Sequence, residues 1–144
     1  MKTRGPRSAA MQVQQMISAH PTLHGTTGGA LVQCIEECLE CAQACTACAD
    51  ACISEPNVAV LRQCIRLNLD SADLCFTTAR IASRHAGGNT GALGSLLQAC
   101  SSACGLCAAE CSRHEHMDHC RLCAECCERC ARACEASLRA LPIQ

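Results

Sequence analysis

The sequence predicts an all-α protein: an antiparallel up-down four-helix bundle with a short extra N-terminal helix. Four stretches of about 20 to 28 residues are separated by short turns rich in Gly, Pro and Asn. In three of them cysteines recur at alternating steps of four and three residues, which is the repeat of one face of an α-helix. Helices of this length joined by short turns pack side by side as an up-down bundle.

The N-terminal region, residues 1–29, is predicted to carry the short helix. Val13, Met16 and Ile17 fall on one helical stripe, which His20 and Pro21 end. The chain length of 144 residues predicts a single domain over 1–144, with the bundle over 30–144. This region has basic residues but no unbroken apolar run of seven or more, so we expect no secretory signal and a cytoplasmic location.

The four bundle helices follow from the positions of the turns. The first stretch ends at the turn Glu55-Pro56-Asn57, and the second ends at a loop with glycines at 87, 88 and 91. A polar segment, 113–118, separates the third stretch from the fourth, which Pro142 stops. The predicted stretches are Ala30–Ser54, Val58–His85, Ala92–Arg113 and a last one that ends at Leu141.

Cysteine supplies 18 of the 144 residues, a far larger share than in an ordinary globular domain. The first, third and fourth stretches each carry a cysteine face, and Cys126 lies one position off it. The second stretch has two cysteines eleven residues apart, with Asn68 and Ser71 between them on the same face. The cysteines are Cys34, Cys38, Cys41, Cys45, Cys48, Cys52, Cys64, Cys75, Cys100, Cys104, Cys107, Cys111, Cys120, Cys123, Cys126, Cys127, Cys130 and Cys134.

An ordinary hydrophobic core is a poor explanation of these faces. The chain has no Trp or Tyr and a single Phe, Phe76, and cysteine packs only as a small apolar group. The larger apolar residues of the second stretch lie on other faces, where they are expected to pack laterally or against another subunit. We therefore interpret the cysteines as ligands that line the lumen of the bundle.

The spacing favours metal binding over disulfides. Two cysteines four residues apart on a helix place their sulfurs on successive turns, an approach that suits a bridging metal and not the disulfide torsion. Soft thiolates select Cu(I), zinc or iron-sulfur clusters. Four-thiolate zinc sites would bury many negative charges, whereas Cu(I) replaces thiol protons about one for one. The Cys-Pro pair of bacterial ferredoxin runs does not occur.

Four further soft or borderline ligands lie together in the third turn: His114, His116, Met117 and His119. Imidazole and thioether groups suit Cu(I), so this turn is a candidate loading mouth of the lumen. An up-down topology puts it at the same end as the Pro56 turn. The alternative is a solvated polar loop.

The segment from about Cys34 to Cys134 resembles the four-helix-bundle copper storage proteins in their cytosolic form. The resemblance rests on the motifs CIEECLECAQACTACADAC, CSSACGLCAAEC and CRLCAECCERCARAC. It implies a lumen filled with many Cu(I) ions per chain, a homotetramer, and a storage role with a copper donor or acceptor protein as partner. Each of the 18 cysteines is then a candidate ligand.

Other functions are less well supported. A net charge of −1 gives no field for nucleic acid, and no apolar run is long enough to predict a membrane span. We find no carboxylate pair, nucleophile elbow or phosphate loop that would indicate an enzyme. The open alternatives are a zinc or iron-sulfur binding protein, or a thiol redox buffer, on the same bundle.

Overall fold

The computed structural model describes residues 9–22, 28–84 and 88–142. This part of the chain folds into a short N-terminal helix and four long ones, as predicted, and a 3-10 turn at Val58–Leu61 precedes the third of the five. The helices are α1 (Ala9–Ser18), α2 (Gly29–Ile53), α3 (Arg62–Ala82), α4 (Thr90–Ser112) and α5 (Asp118–Ala140).

The four long helices form a closed ring. α2 packs on α3 and α5, and α4 packs on the same two helices, so each wall of the ring has two neighbours. α1 lies outside the ring against α2, where Ile17 is buried. The ring encloses the lumen, toward which each long helix turns one stripe of side chains.

The helix ends have local causes. α2 stops at Ile53, where the backbone N–H of Ser54 donates to the carbonyls of Asp50 and Ala51, and Pro56 disfavours helical geometry at the residue before it. α5 ends in the same way, because Leu141 is extended ahead of Pro142.

The second helix begins later than the sequence suggests. We expected it from Val58, but α3 begins at Arg62 after the 3-10 turn. The β-branched residues Val58 and Val60 favour the α-helix less than straight-chain residues do. His85, the expected end of this stretch, lies outside the described residues. In the following loop Gly88 has φ of +77°, a conformation that favours glycine.

The interior consists mainly of cysteine and alanine. The few large side chains that are fully buried, Ile35, Leu61, Leu93 and Leu97, lie among the cysteines or toward the ends of their stripes. Several apolar residues face outward instead, among them Leu69 and Phe76 of α3. The lumen is therefore lined by thiols, and ordinary apolar packing is left to its margins.

α4 is the one described helix whose length and mean hydropathy, 1.4, would suit a membrane span. Its cysteine and alanine content raises this value, and its cysteine stripe is buried against α3 and α5. In this structure it is one wall of the bundle.

Candidate metal centre

The cysteine sulfurs form a continuous column along the lumen. All 18 cysteines are free thiols, and all except Cys126 are buried. A ladder of contacts between sulfurs joins α2 to α5. The Sγ pairs are Cys34–Cys134 (3.7 Å), Cys38–Cys130 (3.7 Å), Cys41–Cys127 (3.7 Å), Cys45–Cys127 (3.5 Å), Cys45–Cys123 (3.7 Å) and Cys52–Cys120 (3.9 Å).

The opposite wall, between α3 and α4, adds to the column. Cys75 of α3 lies 3.6 Å from both Cys100 and Cys104, and Cys64 lies 3.6 Å from Cys111. Cys75 also lies 3.7 Å from Cys130 of α5, across the lumen. The two walls therefore share one set of sulfurs.

Neighbouring groups of sulfurs overlap. Within each group every ligand atom lies within 4.8 Å of every other, and Cys38, Cys75 and Cys130 each belong to two of the groups. The groups include Cys38/Cys75/Cys100/Cys130, Cys41/Cys75/Cys104/Cys130, Cys45/Cys107/Cys123/Cys127, Cys34/Cys38/Cys134 and Cys48/Cys52/His119/Cys120.

Asn68 interrupts the column with an amide. It is fully buried, and its Nδ2 atom donates to the backbone carbonyl of Cys64 at 2.8 Å. Its side chain lies against five sulfurs: Nδ2 is 3.3 Å from Cys64, 3.6 Å from Cys111 and 3.7 Å from Cys48, while Oδ1 accepts from Cys123 at 2.9 Å and Cys107 at 3.4 Å.

His119 closes one end of the column. Its Nδ1 atom lies 3.5 Å from the sulfur of Cys120, 3.6 Å from that of Cys48 and 3.9 Å from that of Cys52. On the other side of the imidazole, Nε2 lies 2.9 Å from Oε1 of Glu55. This contact places the turn after α2 and the first turn of α5 at the same end of the bundle, in agreement with the predicted topology. His119 was expected in the turn, but it is the second residue of α5.

Known proteins are similar to this chain in sequence and in fold. The chain matches the model of the copper storage protein family over residues 29–139, a span that contains every cysteine. The chain belongs to the copper storage protein family. An uncharacterized cysteine-rich protein of Bacillus subtilis, YhjQ, is 34% identical over 103 residues, covering 72% of this chain and 91% of that protein.

Solved structures of family members superpose on the bundle. The copper storage protein Ccsp of Streptomyces lividans, loaded with 10 copper equivalents, is 50% identical with a TM-score of 0.85, covering 90% of this chain and 99% of the other. A second structure of a cytosolic copper storage protein from the same organism, with five coppers, is 54% identical with a TM-score of 0.76, covering 78% and 95%.

The mouth residues of this copper storage protein have different surroundings. His119 contacts the column, whereas the buried His114 has its Nε2 atom 3.4 Å from Oε1 of Glu110, one helical turn earlier. His116 is exposed, and its ring centroid lies 6.5 Å from that of His114. Met117 is partly buried and packs against the core.

Cys126 lies apart from the column of this family member. It is half-buried, and its sulfur accepts a hydrogen bond from Nη2 of Arg129 at 3.1 Å. Arg129 also approaches carboxylate oxygens of Glu37 at 3.6 Å and Glu40 at 3.8 Å. Burial raises the pKa of Cys126, and the guanidinium acts in the opposite direction.

Protonation differs along the column. Burial raises the pKa of Cys52 to about 11 and also raises that of Cys120, so both thiols hold their protons at neutral pH. Hydrogen bonds with Cys111 and then Cys48 lower the pKa of Cys64 to about 3. A thiolate is thus favoured where neighbouring thiols can donate to it.

Two residues of the site, Thr78 and Glu55, were not predicted from the sequence. Thr78 is fully buried, and its hydroxyl has no hydrogen-bond partner among the residues that the structure describes. Continuing the steps of four and three from Cys64 through Cys75 would have placed Thr78 on the lumen stripe. Glu55 carried no such signal, because its contact with His119 depends on how two distant turns meet.

Proposed function

We propose that the chain stores Cu(I) in the cytosol, held by many thiolates along the lumen of its bundle. The observation that carries this proposal is the overlap of the sulfur groups. Isolated four-ligand sites would each need their own cysteines, whereas Cys38, Cys75 and Cys130 each belong to two groups. Shared thiolates suit a chain of bridged monovalent ions.

Charge supports Cu(I) over zinc as the cargo. Apart from the cysteines, the ionisable side chains buried among the described residues are Glu110 and His114, so no buried lysine or arginine neutralises the thiolates there. A Cu(I) ion that replaces each thiol proton leaves the lumen near neutral. Four-thiolate zinc sites would each leave a charge of about −2 in a low-dielectric interior.

The related proteins point the same way. The Streptomyces lividans structures, which are 50% and 54% identical to this chain, hold 10 copper equivalents and five coppers, and one is called cytosolic. We extend this loading to the present chain, with all 18 cysteines as candidate ligands and storage in place of catalysis as its role.

We further propose that copper enters at the end of the bundle that carries His114, His116, Met117 and His119. The support is the contact of His119 with sulfurs of the column, because it joins the turn to the lumen. A copper donor or acceptor protein would exchange the ion there. The homotetramer implied by the resemblance has apolar surface available at Leu69 and Phe76 of α3.

Elemental analysis tests the proposed cargo. The chain should be produced in copper-replete, oxygen-limited cells and purified without chelators, and copper, zinc, iron and inorganic sulfide should be measured per chain. Copper in large excess over the other metals is expected. Zinc or iron with sulfide as the major component would support the alternative metal proteins, and a metal-free chain with disulfides would support a redox buffer.

A further inference from the structure

We propose that Glu55 is a positioning residue that aims His119 at the copper column. The carboxylate holds Nε2 of the imidazole, which leaves Nδ1 directed at three sulfurs and completes a four-ligand site for Cu(I) at the mouth. This inference rests on the proposed function, since the site is the one at which an entering copper ion first binds.

The two nitrogens of the His119 imidazole face different partners at the mouth. Oε1 of Glu55 lies 2.9 Å from Nε2 of His119, a good hydrogen-bond distance. Nδ1, on the other side of the same ring, lies within 4.8 Å of the sulfurs of Cys48, Cys52 and Cys120, which also lie this close to one another. One ring therefore connects an external carboxylate to the end of the column.

The chemistry of imidazole gives this arrangement a direction. A neutral histidine has one N–H donor and one lone pair, and a carboxylate only accepts hydrogen bonds. Glu55 therefore favours the proton on Nε2, and the lone pair on Nδ1 faces the thiols. Histidine ligands of metals commonly donate their other ring N–H to a carboxylate, which fixes the tautomer and the ring orientation.

Stability alone is a weak reason for this contact. The side chains of Glu55 and His119 are 31% and 23% exposed, and exposed pairs of this kind contribute little to folding. The contact joins residues 64 positions apart in the sequence, one in the turn after α2 and the other in the first turn of α5. Pro56 also restricts the backbone of the preceding Glu55, which limits the positions open to the carboxylate.

His114 and Glu110 provide an internal contrast. They form the same kind of pair at 3.4 Å, but they lie four residues apart, and Arg113 shares the carboxylate at 3.0 Å. That pair therefore forms within one short segment and needs no contact between distant parts of the chain. The Glu55 pair differs because the opposite nitrogen of its imidazole lies against the lumen sulfurs.

The experiment compares the full-length parent with Glu55→Ala and with Asp50→Ala. Asp50 is an exposed acid near the end of α2, so its removal takes the same charge from the same helix end and leaves the His119 contact intact. Long-range ¹H–¹⁵N correlation spectra of the reduced apo protein at pH 8 report the tautomer of His119. Stopped-flow transfer of copper from a coloured Cu(I)–chelator complex reports how fast an ion is captured at the mouth.

We expect His119 to be protonated on Nε2 in the parent and in Asp50→Ala, and to become a mixture of tautomers in Glu55→Ala. The rate of copper transfer should fall about tenfold in Glu55→Ala, the lower end of the range for loss of such a partner. Total copper capacity should stay the same, because no thiol is removed.

Two results would overturn the inference. One is an unchanged tautomer and an unchanged rate of copper transfer in Glu55→Ala. The other is an equal loss of rate in Asp50→Ala, which would mean that the carboxylate acts through its charge alone. A parent chain that takes up few copper ions would instead contradict the proposed storage function, and the tautomer spectra would still decide whether Glu55 orients His119.

Discussion

The sulfur of Cys123 lies 2.9 Å from Oδ1 of Asn68, inside the lumen. The amide of Asn68 faces sulfurs from α2, α4 and α5 as well as Cys64 of its own helix. Both ends of this amide are therefore satisfied within the thiol column. Through these contacts Asn68 connects α3, which has few cysteines, to the three cysteine-rich helices.

Replacing Asn68 by Ala should destabilise the reduced apo protein. The change leaves a cavity and removes the hydrogen-bond partners of several buried thiols, so the free energy of unfolding should fall by about 1–3 kcal/mol. Denaturant unfolding followed by circular dichroism measures it. The exposed Asn57, replaced by Ala, is the control and should change stability by less than about 0.5 kcal/mol. Equal effects of the two changes would show that the lumen contacts of Asn68 contribute nothing.

Two hydroxyls on the lumen stripe of α3 should respond in opposite ways. Within the described part of the chain, the buried hydroxyl of Thr78 has no hydrogen-bond partner, so Thr78→Val should stabilise the apo protein by about 1 kcal/mol. Ser71 donates to the carbonyl of Ala103 at 3.2 Å, so Ser71→Ala should destabilise it by a similar amount. Thermal unfolding of both variants checks the signs. A loss of stability in Thr78→Val would mean that its hydroxyl has a partner in solution.

Cys126 should contribute less to copper binding than the cysteines of the column. Its sulfur is engaged by Arg129, whereas Cys123 contacts Asn68, Cys45 and Cys127. We expect Cys126→Ala to keep the copper capacity of the parent and Cys123→Ala to lose about one ion, since a bridged array holds roughly one Cu(I) per thiolate. Anaerobic loading followed by gel filtration and metal analysis measures both. A loss of one ion or more in Cys126→Ala would show that this residue binds copper as the column cysteines do.

Above pH 9 the apo protein should lose stability through Cys52. Burial raises the pKa of this thiol from 9.0 to about 11 in the folded state. Between these pH values the unfolded chain has released the proton and the folded chain keeps it, so the free energy of unfolding falls as the pH rises. Unfolding midpoints measured from pH 8 to pH 11 should therefore fall less steeply in Cys52→Ala than in the parent. Parallel curves would contradict the assignment.

Much of the fold follows from the cysteine spacing. The steps of four and three from Cys34 to Cys52 predict a helix over Ala30–Ser54, and α2 spans Gly29–Ile53. The same spacing locates α4 and α5. In Val58–Leu61 neither a repeat nor a turn signal separates the 3-10 turn from the helix, so the start of α3 was misplaced.

The site is less accessible to sequence reasoning than the fold. Spacing alone put Asn68 on the lumen face, but its contacts with five sulfurs depend on the distances between helices. The four residues of the predicted mouth are close in sequence, yet His119 contacts the thiols while His114 contacts Glu110. His119 lies in the first turn of α5 and His114 in the turn before it, and the packing of this segment against the turn after α2 sets which way the His119 side chain faces.

The stoichiometry of Cu(I) binding distinguishes a shared thiolate array from separate metal sites. The reduced apo protein should be titrated anaerobically with Cu(I) in the presence of a chromophoric Cu(I) chelator, with bound copper counted per chain. Seventeen of the 18 thiols lie in the column, and bridging thiolates hold roughly one ion each, so we predict saturation well above about ten ions. Saturation at about four ions or fewer would indicate separate four-thiolate sites and would contradict storage in a shared array.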